Sequence, residues 1–178
     1  DLMTLEGLDV PEGGFDVILS SGVVHHLSDP VRGLTLLAAR LAPHGVLSLM
    51  VYGRHGRESL RRMVDSIDLL VPRSAALEER LLIGRELASQ AALPAIRVGP
   101  SADLGELSDV EFVDRYLNVN ETSYDVEGFF RLIEAAGLSF LRWSEPADWE
   151  PLAHLPPGPL RERVRALPAR QRARLMEL

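Results

Sequence analysis

His25 and His26 stand side by side after a short apolar run. Histidine is the side chain best suited to moving a proton near neutral pH, so the pair is the first candidate for a general base. A base is needed only if the nucleophile arrives protonated. The competing role is structural, with at least one histidine bonding loop backbone. Metal chemistry fits poorly, because adjacent histidines do not converge easily on one ion and no carboxylate stands at a completing distance. No metal is expected. Tyr52, Arg54, His55 and Arg57 follow a second apolar run. Tyr52 joins the histidines as a candidate catalytic side chain. Arg54 or Arg57 suits a carboxylate or phosphate on a substrate, unless Asp65, Glu58 or solvent takes the guanidinium. Tyr116, Tyr124 and Asp125 are candidates for an opposite wall, Asp125 serving more naturally as a helix cap. There is no cysteine, which excludes a thiol nucleophile, a thiolate metal site and a disulfide framework.

The elements that must carry these groups are legible. Phe15-Asp16 leads into Val17-Ile18-Leu19, a short apolar run suited to a strand buried on both faces. Ser20, Ser21 and Gly22 then end the strand in a loop where backbone can approach a ligand. Asp29 and Pro30 start a helix, the first as N-cap and the second where no N–H is needed. Leu34, Leu37, Ala38 and Leu41 form its apolar stripe. Pro43 and Gly45 are expected to close it, with Gly45 in the left-handed conformation. Val46 to Val51 supplies a second buried strand. The default geometry is a right-handed parallel crossover. Tyr52 to Arg57 then lie past the carboxyl end of a strand, where ligands of open α/β sheets bind.

The words FDVI, GVVHHLSDP and LAPHGVLSLMVYG, in this order, resemble the fourth strand, following helix and fifth strand of class I S-adenosylmethionine-dependent methyltransferases. His44 departs from the family, which usually has glycine there. The resemblance implies an α/β, Rossmann-like fold with a mostly parallel sheet, and methyl transfer from S-adenosylmethionine. It puts the cofactor's methionine and sulfonium against Ser20, Ser21, Gly22 and Val23. It also makes Asp1-Leu2 similar to the Asp–hydrophobe pair that meets the adenine ring, although by itself Asp1 reads more readily as an exposed terminal residue. No G-x-G-x-x-G turn occurs, nor the acid that follows it. The chain therefore resembles the C-terminal half of such a domain. Three expectations follow: residues 1–178 alone bind the cofactor weakly and are inactive, an upstream part of the same protein completes the sheet, and the isolated segment self-associates through an open strand edge. The rival reading is a non-catalytic interaction or regulatory module derived from the same half-domain.

After Arg57, Leu60, Met63, Val64, Ile67, Leu70 and Val71 mark one helix face, ended by Pro72. A second helix with Leu77, Leu81, Leu87 and Ala88 inward stops before Pro94. Residues 57–123 are thus a helical insertion, a substrate lid or a packing element. Ser108 and Glu111 have the capping-box spacing. Phe129, Phe130, Leu132, Ile133 and Ala136 lie on a further helix stopped by Gly137, and Leu138–Trp143 reads as a third strand. The words DVEFVDRYLN and YDVEGFFRLIEAAGLSFLRW resemble a bacterial methyltransferase subgroup, so the methyltransferase part is expected to span 1–145. Residues 146–178 are a Pro-rich segment and an Arg-rich terminal helix.

Hydrophobic content of 46% with 25% charged residues is that of a folded chain, not a disordered one. No apolar run approaches the roughly 20 residues that span a bilayer, and Asp1-Leu2-Met3-Thr4 is not expected to belong to a signal peptide. The cytoplasm is the expected compartment. The formal charge of −7 argues against a nucleic-acid partner, leaving an unidentified small molecule or protein side chain as methyl acceptor. The charge is uneven: residues 161–178 hold six arginines against two glutamates.

Overall fold

β1 (Phe15–Ser21) and β2 (Leu41–Met50) pair in parallel, and α1 (Pro30–Ala38) lies between them in sequence. The computed structural model describes residues 10–90, 107–118 and 120–178. α1 starts where its sequence asks it to. The Arg32 N–H donates to the Asp29 carboxylate at 2.9 Å, and Pro30 fills the first turn. Leu34 and Leu37 are buried on its inner side.

The end of α1 differs from expectation. The helix stops at Ala38, and Pro43 and Gly45 lie inside β2 instead of closing a helix. Phe15 pairs with Leu41 and Val17 with Val46, so Ala42–Gly45 bulge out opposite Asp16. Gly45 is not left-handed either. Its lack of a side chain is needed for closeness, because a Cβ there would come within 2.6 Å of the Phe15 carbonyl oxygen. Pro43 is exposed within the bulge, where a missing N–H costs no ladder bond.

Ile18, Leu47 and Leu49 pack on a core of Val24, Leu34, Leu37, Phe130 and Ile133. On the other sheet face, among the described residues, Val17 is 61% exposed and Leu19 77%, with Val46 and Met50 also exposed. Parallel strands are normally covered on both faces. Among the described residues β1 has β2 as its one strand neighbour.

Two compact units divide the chain, residues through His55 with Thr122–Leu178, and Gly56–Glu121. The second is helical: α2 (Glu58–Leu70), α3 (Leu77–Ala88) and α4 (Asp109–Phe112), which runs on as a π-helical stretch at Val113–Leu117. Met63, Ile67, Leu87, Phe112, Tyr116 and Leu117 form its core. Leu70 and Leu77 were expected inward but are exposed; each sits at a helix end, beyond the turns the core covers. The capping box is in place. The Ser108 N–H donates to the Glu111 carboxylate at 2.9 Å and the Glu111 N–H to the Ser108 hydroxyl at 3.3 Å. The Ser108 hydroxyl, which donates to the Glu111 carboxylate at 2.7 Å, and the Ser108 N–H hold the Glu111 carboxyl below the usual glutamate range.

In the first unit, α5 (Val126–Ala135) is followed by Gly137 at φ +75°, the left-handed stop its sequence predicts. Leu138–Trp143 forms no strand. A strand needs a neighbour, and none among the described residues runs beside it. Phe140 and Trp143 instead pack with Phe129 and Phe130, and Trp143 stacks on Trp149 with ring centres 4.2 Å apart. Two short 3-10 turns, Pro146–Trp149 and Pro151–Ala153, lead to α6 (Pro159–Arg165) and α7 (Ala169–Glu177).

Candidate functional site

The carboxyl ends of β1 and β2 bring most of the sequence candidates together. Ser20 is the inward residue at the end of β1, 6% exposed, and its hydroxyl has no hydrogen-bond partner among the described residues. Ser21 points outward. Gly22 then turns the chain at φ +74°, with its N–H donating to the Met50 carbonyl at 3.3 Å. Only glycine adopts that backbone without strain. A Cβ added there would meet nothing nearer than the Met50 methyl at 3.8 Å, so the backbone lies open toward a ligand. Val23 follows, 41% exposed.

The chain next makes a single 3-10 turn, Val24–His26. His25 is fully buried, with its ring centre 3.9 Å from that of Tyr52 at the end of β2. His26 is half-buried and meets the Tyr52 ring edge-on at 5.6 Å. The three rings thus form one cluster built from both strand ends. A separate segment straps it down. The Thr122 N–H donates to the His25 carbonyl at 2.9 Å and the Tyr124 N–H to the Tyr52 carbonyl at 2.8 Å. The Tyr124 carbonyl in turn accepts the Arg54 N–H at 2.9 Å. Burial pushes the Tyr124 phenol pKa upward.

Asp125 caps α5, accepting the Gly128 N–H at 2.6 Å, and also pairs with Arg54 at 3.1 Å. The Gly128 N–H, with Arg54, Arg131 and Arg174 nearby, holds the Asp125 carboxyl below the usual aspartate range. Arg54 therefore presents a guanidinium that is half exposed beside the ring cluster's strap.

Other candidates lie elsewhere. Arg57 and Tyr116 belong to the helical unit. There Arg57 forms a bidentate pair with Glu121 at 2.8 and 2.7 Å, and Tyr116 is buried against Phe112. Asp1 and Leu2 lie outside the described residues. Among the described residues no group of three or more histidine, aspartate or glutamate side chains is placed to hold a metal ion. Nor is any helix long and apolar enough to cross a membrane. A cavity of about 440 Å³ does occur in the first unit, between α5, Leu138–Trp143 and α7, but no residue of the ring cluster lines it. Sequence reasoning missed the role of Thr122, which contributes only a backbone N–H and so leaves no side-chain signal.

Residues 2–49 match the family described as a methyltransferase domain. An uncharacterized protein of Synechococcus sp. is 40% identical over 173 residues, covering 93% of this chain and 41% of that protein. The probable tRNA methyltransferase 9B of Mus musculus is 37% identical over 87 residues, 46% of this chain and 19% of that protein. Among solved structures, PKMT2 from Rickettsia typhi shares the fold at TM-score 0.57 and 18% identity, over 98% of this chain and 34% of that one. The family match over residues 2–49 and the tRNA methyltransferase relative agree on a methyltransferase domain, and the shared fold is an α/β, Rossmann-like one. The chain spans about two-fifths of the length of the Synechococcus relative.

Proposed function

We propose that the protein transfers a methyl group from S-adenosylmethionine, with the cofactor's sulfonium end lying against Ser20–Val23. The observation that supports this most is the positive-φ turn at Gly22, which opens backbone at the carboxyl end of a parallel strand beside the His25–His26–Tyr52 cluster. Ser20, Ser21, Gly22 and Val23 suit the cofactor there: carbonyls for a positive centre, an open backbone and one exposed apolar side chain. When bound, S-adenosylmethionine supplies a methyl carbon on a sulfonium that leaves as a neutral thioether. The protein's own task is then alignment and the exclusion of water. For an acceptor that arrives protonated, His26 is the proposed base, because it is the half-buried member of the pair. His25, fully buried, orients Tyr52. Arg54 and Tyr124 would meet the acceptor.

The acceptor is proposed to be a small molecule or a protein side chain. The acidic charge does not favour a nucleic acid, although the mouse relative's name gives tRNA for that protein. The proposed compartment is the cytoplasm. The exposed sheet face of Val17, Leu19, Val46 and Met50 supports a second reading, in which the segment serves chiefly to pair with other polypeptide.

Gly22→Val tests the first reading. The substitution forces a β-branched residue to φ +74° and costs about 1–3 kcal/mol of backbone strain. In the full-length protein it is expected to remain folded and to bind S-adenosylmethionine about ten-fold more weakly by calorimetric titration. Unchanged affinity in a folded variant would move the cofactor away from this loop.

A further inference from the structure

α7 hydrogen-bonds the start of α5 beside the candidate site through Glu177, and its Arg174 lies near Asp125. The Val126 N–H, at the first turn of α5, donates to both Glu177 carboxylate oxygens, at 3.1 and 3.0 Å. This N–H is one of the donors that a helix start leaves without an intrahelical partner. Asp125 satisfies the Gly128 N–H in the same first turn. Two carboxylates therefore share the start of α5, where the helix dipole favours them.

The remainder of α7 is fixed along the same helix. Arg170 pairs with Glu134 near the far end of α5 and lies over the Phe130 ring at 4.0 Å. Ala173 is buried between these two anchor points. Arg172 donates to Glu150 and to the Leu167 carbonyl. Arg161 donates to the carbonyls of Leu152 and Leu155. The arginines of residues 161–178 thus mostly serve internal bonds, which accounts for their density without an anionic partner.

We infer that α7 is a splint for the acceptor-side wall and that Glu177 is its positioning residue. The path is short. Glu177 fixes Val126, Asp125 precedes it and holds Arg54, and Tyr124 bonds Tyr52 and Arg54 through backbone. Loss of the Glu177 carboxylate would release the start of α5, and with it the strap that bonds the ends of the ring cluster. The inference rests on the methyl-transfer reading for its purpose, but not for its test.

Amide hydrogen exchange on the full-length protein decides it, because the readout needs neither cofactor nor acceptor. Glu177→Ala is expected to speed exchange at Val126, Tyr124 and Arg54 about five-fold, the size of a lost helix cap, while Leu47 and Leu49 in β2 keep their protection. Glu177→Gln retains one acceptor oxygen and should give a smaller rise at the same amides. It carries the test if the alanine variant fails to fold. A rise limited to Val126, or an equal rise at Leu47 and Leu49, overturns the inference. Were the methyl-transfer reading wrong, the exchange pattern would persist, so the two failures are distinguishable.

Discussion

Asp68→Ala is expected to destabilise the helical unit of residues 56–121 by about 3 kcal/mol. Asp68 accepts from two arginines, Arg73 at 2.7 Å and Arg80. They are not equivalent. The Arg73 side chain is 58% exposed, whereas that of Arg80 is 4% exposed. Removing the carboxylate strands the Arg80 guanidinium away from water, and the cost of an uncompensated buried charge dominates. Arg73→Ala breaks only a solvent-screened pair and should cost under about 1 kcal/mol. A double variant, Asp68→Ala with Arg80→Met, removes both charges and should recover most of the loss. Trp143 and Trp149 both lie outside this unit, so its unfolding is followed by far-UV circular dichroism in a denaturant titration. Equal effects of Asp68→Ala and Arg73→Ala would show that Arg80 is better hydrated than its burial indicates.

His26→Gln is expected to lower kcat about 100-fold for an acceptor that arrives protonated, with KM nearly unchanged. Glutamine keeps a hydrogen-bonding group of similar reach but cannot take a proton. His25→Gln should behave differently. That ring is fully buried and packs on Tyr52 at 3.9 Å, so its loss should lower stability as well as turnover. An unaltered kcat in His26→Gln would mean that the acceptor reaches the site already deprotonated, or that another group takes the proton.

Much of the scaffold around these residues was legible because its signals are local. Asp29-Pro30, the Ser108/Glu111 box, Asp125 as cap and Gly137 as stop each depend on a few neighbouring residues, and each is seen where its spacing puts it. The failures have a different origin. Gly45 was expected to end a helix, yet its requirement comes from the Phe15 carbonyl across the sheet. Leu138–Trp143 has strand composition, but pairing is a property of two segments and no second one is beside it among the described residues. The site divides the same way. Gly22, His25, His26 and Tyr52 come from strand ends that hydrophobic periodicity marks. Thr122 and Glu177 act on the same cluster from far along the chain, and no motif announces either.

The central claim is that the cofactor's sulfonium end lies against the turn after β1. Ultraviolet cross-linking of methyl-labelled S-adenosylmethionine to the full-length protein, followed by peptide mapping, tests it most directly. The account predicts label within the peptide carrying Ser20–Val23, competed away by unlabelled cofactor. Competable label confined to other peptides, or none at all, would contradict it.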